Sequence, residues 1–120
     1  FVSGTRGNRD RVKRPIMAKE ASIADYVILT TDDPRDEPYE TILAELEAGM
    51  EHGNYACIGD RAEAVRHAVA VANPNDIIIF AGKGHEDFQI IGKTKYQHSD
   101  AEIALLEAEK KFGTSKVENK

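Results

Sequence analysis

The 120-residue chain holds a single cysteine, Cys57, and no tryptophan. One thiol excludes an internal disulfide and fits a reducing compartment such as the cytoplasm. No apolar run approaches the roughly 20 residues needed to span a bilayer. The opening residues Phe1-Val2-Ser3-Gly4 have neither the basic start nor the apolar core of a secretion signal. No membrane partner is expected. Nucleic acid is not expected either: 16 Lys and Arg against 21 Asp and Glu give a net charge of -5, the wrong sign for a phosphate backbone. Catalytic signatures are also missing. The Gly-x-x-x-x-Gly-Lys-Ser/Thr phosphate loop does not occur, and there is no nucleophile elbow or triad pattern. His52, His67 and His98 keep no metal-ligand spacing with each other or with Cys57. They read as surface or helix residues, and Cys57 reads as a buried, inert thiol. No catalytic residue and no metal site are assigned.

What remains is ordinary globular material, 41% hydrophobic and 31% charged, enough for one domain and one core. There is no repeat and no low-complexity stretch. A strand tail runs into a glycine-bearing basic loop from Gly4 to Arg14, where Arg6, Arg9, Arg11, Lys13 and Arg14 face only Asp10. Such a cluster is either an anion site or a solvated loop. Pro15 suits the first turn of a helix over Ile16 to Ala24. Tyr26 to Thr30 is a β-branched run with strand character, ending in the loop Asp32-Asp33-Pro34-Arg35-Asp36. A helix fits Tyr39 to Met50, with Gly53 as its stop. A short strand follows at Tyr55 to Ile58.

Asp60 caps a helix over Arg61 to Ala72, with Glu63 completing a capping box and Ala64, Val65, Ala68, Val69 and Ala72 as its apolar stripe. After a turn at Asn73 to Asp76, Ile77 to Ala81 lacks polar alternation and reads as a strand buried on both faces. Gly82 to Asp87 is a loop. Phe88 to Ile91 and Thr94 to Gln97 flank Gly92-Lys93 as a hairpin. A last helix runs from Ser99-Asp100 to Phe112, and residues 113 to 120 read as a disordered tail.

Helices alternating with strands predict a Rossmann-like three-layer α/β domain, with a mainly parallel sheet and a C-terminal antiparallel hairpin. In such sheets ligands bind beyond the carboxyl ends of the strands. The loops at 4–14, 32–36 and 82–87 are the ones that qualify, and they hold the densest charge and glycine. Arg35 can grip a carboxylate bidentately. Asp32 and Asp33 suit an ammonium or a metal, or form a solvated turn. Gly82 and Gly84 would let the backbone approach a ligand, with Glu86 accepting from an ammonium, or they make only a tight turn.

Four segments then carry a resemblance, in order along the chain. They are Gly7-Asn8-Arg9-Asp10-Arg11-Val12-Lys13-Arg14-Pro15, Thr31-Asp32-Asp33-Pro34-Arg35, Asp60-Arg61-Ala62-Glu63-Ala64, and Ala81-Gly82-Lys83-Gly84-His85-Glu86-Asp87-Phe88-Gln89-Ile90. Together they resemble the C-terminal domain of the Mur ligases, in their tripeptide-synthetase branch. The resemblance implies residues 1 to 112 as an amino-acid-binding domain that lacks its first strand and helix, within a larger ATP-dependent ligase of peptidoglycan biosynthesis. ATP and Mg²⁺ would serve the full-length enzyme and not this piece, which alone is expected to be inactive. The substrates implied are the UDP-N-acetylmuramoyl dipeptide and an amino acid, either meso-diaminopimelate or L-lysine.

By the same resemblance Arg9 would bind the carboxylate near the reacting amine, and Arg35 the distal carboxylate of diaminopimelate. Gly82, through its carbonyl, and Glu86, through its charge, would take the distal ammonium, with Asp32 a turn former beside them. Position 33 departs from the family. Diaminopimelate enzymes usually read Asp-Asn-Pro-Arg, and an ionised Asp33 would repel the carboxylate that asparagine can donate to. Arg35 therefore points to diaminopimelate and Asp33 to lysine. A stand-alone amino-acid or nucleotide-binding module is the competing class.

Overall fold

A computed structural model describes residues 1–5, 12–81 and 88–112. Strands β1 (Val2–Thr5), β2 (Val27–Thr31), β3 (Tyr55–Cys57) and β4 (Phe80–Ala81) form one parallel sheet in the order β3-β2-β1-β4. Each crossover between them carries a helix: α1 (Lys13–Ala21), α2 (Tyr39–Glu47) and α3 (Arg61–Val71). The chain continues into an antiparallel hairpin, β5 (Phe88–Ile91) and β6 (Thr94–Gln97), and helix α4 (Asp100–Phe112). The expected α/β class, parallel sheet and terminal hairpin are all present.

The pleat of β2 explains the layering. Val27 and Leu29 point to one face and pack with Ala18 and Ala21 of α1 and Ile42 and Leu46 of α2. Ile28 points to the other face, with Val2, Ala64 and Ala68. Successive side chains of a strand alternate between faces, so a strand that is apolar throughout needs cover on both. All five residues of β2 are buried. Among the described residues no helix is long and apolar enough to cross a membrane.

Several boundaries differ from expectation. Helix α1 starts at Lys13, three residues early, which places Pro15 within the first turn where its missing N–H costs nothing. It ends at Ala21, and the hydroxyl of Ser22, the capping residue, donates to the Ala18 carbonyl at 2.9 Å. Helix α2 stops at Glu47, well before Gly53. Gly49 lies so close to α1 that a Cβ there would sit 1.9 Å from the Pro15 carbonyl oxygen. The capping box is half made: Asp60 accepts from the Ala62 N–H at 3.0 Å, while Glu63 pairs with Arg66 along the helix.

The largest correction concerns Ile77 to Ala81. Only Phe80 and Ala81 are in strand, and Ile77 is 87% exposed and Ile79 53%. Among the described residues β4 is an edge strand, with a sheet partner on one side only. Cys57 is likewise exposed, on the opposite edge strand β3.

Candidate functional site

β2, β1 and β4 are neighbours and run parallel, with Thr5 opposite Thr31 and Ser3 opposite Ala81. Their carboxyl ends therefore lie side by side, and the three candidate loops leave from one edge of the sheet. Arg9, Gly82 and Glu86, together with the tail from residue 113, fall outside the described residues. Asp32, Asp33 and Arg35 are described, and they stand directly after β2.

The loop after β2 is fastened to the hairpin. Asp33, 2% exposed, accepts from the Ile90 N–H through Oδ1 at 3.0 Å. The Arg35 N–H donates to the Ile90 carbonyl at 3.1 Å, and the Arg35 carbonyl accepts from the Gly92 N–H at 2.6 Å. Arg35 thus forms a parallel bridge with Ile91. To do so it adopts a φ of 55°, the left-handed region that side chains rarely occupy. Such backbone persists only where surrounding contacts over-determine it, and the two hydrogen bonds to the hairpin are those contacts. The Arg35 side chain is half-buried. Its Nε is buried and finds no hydrogen-bond partner among the described residues. A cationic donor left unused at the mouth of a sheet is chemically suited to a carboxylate.

Arg14 does not join this cationic surface. It is fully buried, and its guanidinium grips Glu37 bidentately at 2.5 and 2.7 Å and Glu45 at 2.9 Å. The basic cluster therefore contains at least one structural ion pair, which ties the exit of the 32–36 loop to α1 and α2.

Sequence reasoning also missed a buried ionic network beneath the loops. Arg61, at the first position of α3, is 0% exposed. Its Nε and Nη2 donate to the two oxygens of Asp100 at 3.0 and 2.7 Å. Nη2 also donates to the Ala81 carbonyl at 3.0 Å, and Nη1 to the Thr31 carbonyl at 3.4 Å. His98, read from sequence as a surface or helix residue, is buried just ahead of α4 with Nε2 2.7 Å from Asp100 Oδ1. Burial pushes the Asp100 carboxyl upward. Hydrogen bonds from His98 and Arg61, together with their charges, outweigh that and hold its pKa at about 2. One signal pointed here: an arginine in the first turn of a helix opposes the helix dipole, so a buried one demands an anionic partner.

Comparison with known proteins places this geometry. Residues 1–84 match the family described as "Mur ligase, glutamate ligase domain". The chain is 55% identical over 104 residues to UDP-N-acetylmuramyl-tripeptide synthetase 2 of Oceanobacillus iheyensis, covering 87% of this chain and 21% of that protein. It is 42% identical over 120 residues to the UDP-N-acetylmuramoyl-L-alanyl-D-glutamate–L-lysine ligase of Staphylococcus epidermidis, covering 99% of this chain and 24% of that one. A solved UDP-N-acetylmuramoyl-L-alanyl-D-glutamate–2,6-diaminopimelate ligase superposes with a TM-score of 0.86 at 35% identity, covering 94% of this chain and 24% of the other. The chain thus spans about a quarter of the length of these relatives. With a family match over most of its length and a superposable fold, the chain belongs to the Mur ligase family and carries its C-terminal, glutamate ligase domain.

Proposed function

We propose that this domain presents the incoming amino acid in an ATP-dependent ligase that extends UDP-N-acetylmuramoyl-L-alanyl-D-glutamate in the cytoplasm, and that the amino acid is meso-diaminopimelate. The observation that carries the reading is Arg35: a half-buried guanidinium with an unused donor, held in a strained conformation at the carboxyl edge of the sheet. Lysine and diaminopimelate differ by one distal carboxylate, and a rigid bidentate cation is the group that would read it. Arg9 would hold the carboxylate next to the reacting amine, and Gly82 and Glu86 the distal ammonium. Asp32 and Asp33 shape the turn that carries Arg35. In the reaction ATP phosphorylates the glutamate-side carboxyl of the precursor, the amine attacks the acyl phosphate, and phosphate leaves as the amide forms. The sequence carries no Gly-x-x-x-x-Gly-Lys-Ser/Thr phosphate loop. ATP and Mg²⁺ are accordingly assigned to other parts of the full-length enzyme, and this domain alone is expected not to hydrolyse ATP.

The second reading is L-lysine. Its support is the 42% identity to a lysine-adding staphylococcal ligase and the acidic residue at position 33. One assay separates the two: phosphate release by the full-length ligase with diaminopimelate or lysine at matched concentrations. On the first reading Arg35→Ala lowers diaminopimelate use about ten-fold or more, the worth of one charge-assisted pair, with a much smaller loss for lysine. A wild-type preference for lysine that Arg35→Ala leaves unchanged selects the second reading.

A further inference from the structure

We propose that Arg61, held in place by Asp100 and His98, is the positioning residue that fixes the carboxyl ends of β2 and β4 relative to one another and thereby governs affinity for the incoming amino acid; this rests on the amino-acid-presenting role proposed above. The argument begins with where the guanidinium reaches. Thr31 is the last residue of β2 and Ala81 the last of β4, and Arg61 donates to the carbonyl of each. Asp32 and Gly82, both candidate ligand groups, follow immediately in sequence. β1 lies against the same side chain, since a Cβ on Gly4 would come within 3.0 Å of Arg61 Nη1 and 2.8 Å of the Thr31 carbonyl carbon. One side chain thus bonds to the ends of β2 and β4 and lies beside β1 near its end.

Only arginine has this reach. Its guanidinium presents five N–H donors in a planar fork, and here the fork serves a carboxylate and two strand-end carbonyls together. Asp100 neutralises the charge that burial would otherwise forbid. It also fixes the fork's orientation by bidentate contact. His98 in turn fastens Asp100, and it sits between β6 and α4, so the hairpin that clamps Arg35 joins the same network. A shift of a few tenths of an ångström in either carbonyl would be carried directly to the ligand groups one residue on. Displacements of about 1 Å in a site cost orders of magnitude in rate, and sites that hold ligands tightly depend on such supporting contacts.

The test is steady-state kinetics of the full-length ligase with Arg61→Lys, with KM measured separately for the amino acid, ATP and the UDP precursor. Lysine keeps the charge and can pair with Asp100, but it cannot also fork to both carbonyls. The expected result is a folded enzyme whose amino-acid KM rises about ten-fold while the ATP KM stays within two-fold, consistent with loss of positioning. A residue needed only for stability would be rescued by lysine, so a wild-type amino-acid KM overturns the proposal, as does an equal rise in all three constants. If Arg61→Lys does not fold, the isosteric Asp100→Asn is judged by the same split of constants. A wild-type enzyme inactive with every amino acid would instead defeat the functional reading on which this stands, an outcome distinct from active variants with unchanged KM.

Discussion

Ile90 donates its backbone N–H to the Asp33 carboxylate at 3.0 Å, across 57 residues of sequence. This bond and the Arg35 bridge dock the β5-β6 hairpin against the loop that follows β2. Position 33 therefore has a structural task that either aspartate or asparagine can perform through Oδ1.

Replacing Asp33 separates that task from any effect on substrate. Asp33→Asn keeps an acceptor oxygen for Ile90 and is expected to leave stability within about 1 kcal/mol. It should also improve diaminopimelate use by removing a negative charge beside Arg35. Asp33→Ala leaves a part-buried N–H without this acceptor and should cost about 1 kcal/mol. Hydrogen exchange at the Ile90 amide reads the difference directly: fast in Asp33→Ala and protected in Asp33→Asn. Protection retained in the alanine variant would show that the bond does not hold the hairpin.

Arg35 makes a complementary prediction about backbone strain. Its φ of 55° costs an ordinary residue about 1 kcal/mol and costs glycine nearly nothing. Arg35→Gly should therefore be more stable to urea than Arg35→Ala by about 1 kcal/mol, although both would lose the proposed contact to a distal carboxylate. Coincident urea midpoints would mean that the left-handed conformation is not maintained in solution.

Much of this arrangement was legible before any coordinates. The apolar run of β2, the turn chemistry at Gly92 and the stripe of α3 follow from local rules of pattern and propensity, and they place the candidate loops at one sheet edge. What was not legible depends on neighbours far away in sequence. Ile77 and Ile79 carry the pattern of a central strand but lie beside an edge, and no residue within the segment records that. His98 and Arg61 look like helix-end and surface residues until Asp100 is brought between them. Arg14 looks like part of an anion site until Glu37 and Glu45 fold onto it. Pattern specifies which residues must be buried, whereas the partners that make a buried charge tolerable come from tertiary structure.

Acid should weaken the fold partly through Asp100. Its pKa is about 2 in the folded chain against 3.8 ordinarily. A depressed carboxyl pKa contributes stability that is fully present above the unfolded value, and that stability is lost as pH falls through the folded one. The window is therefore about pH 4 down to about pH 2, and the contribution at neutral pH is on the order of 2 kcal/mol. Asp100→Asn should be less stable than the parent near neutrality, with the gap narrowing across that window. Urea midpoints measured every half unit of pH would reveal it, and a gap independent of pH would remove Asp100 as the titrating group.

Arg14 provides the sharpest test of a buried ion pair. It is fully buried, bidentate to Glu37 and bonded to Glu45. Hydrogen bonding to Glu37 raises its pKa despite the opposing effect of burial. Arg14→Met fills similar volume but takes the guanidinium away from two partly buried carboxylates, Glu37 and Glu45. Removing one partner of such a pair costs about 3 kcal/mol, most of it the penalty on the charge left behind. Neutralising that charge should restore stability, so Arg14→Met combined with Glu37→Gln should be more stable than Arg14→Met alone. A double-mutant cycle on urea midpoints gives the coupling, expected at about 1–3 kcal/mol. Simple additivity of the two substitutions would show that the Arg14–Glu37 contact carries no interaction energy. The loop from Asp32 to Asp36 would then owe its placement to contacts other than the Arg14–Glu37 pair, among them the Asp33–Ile90 bond and the Arg35 bridge to the hairpin.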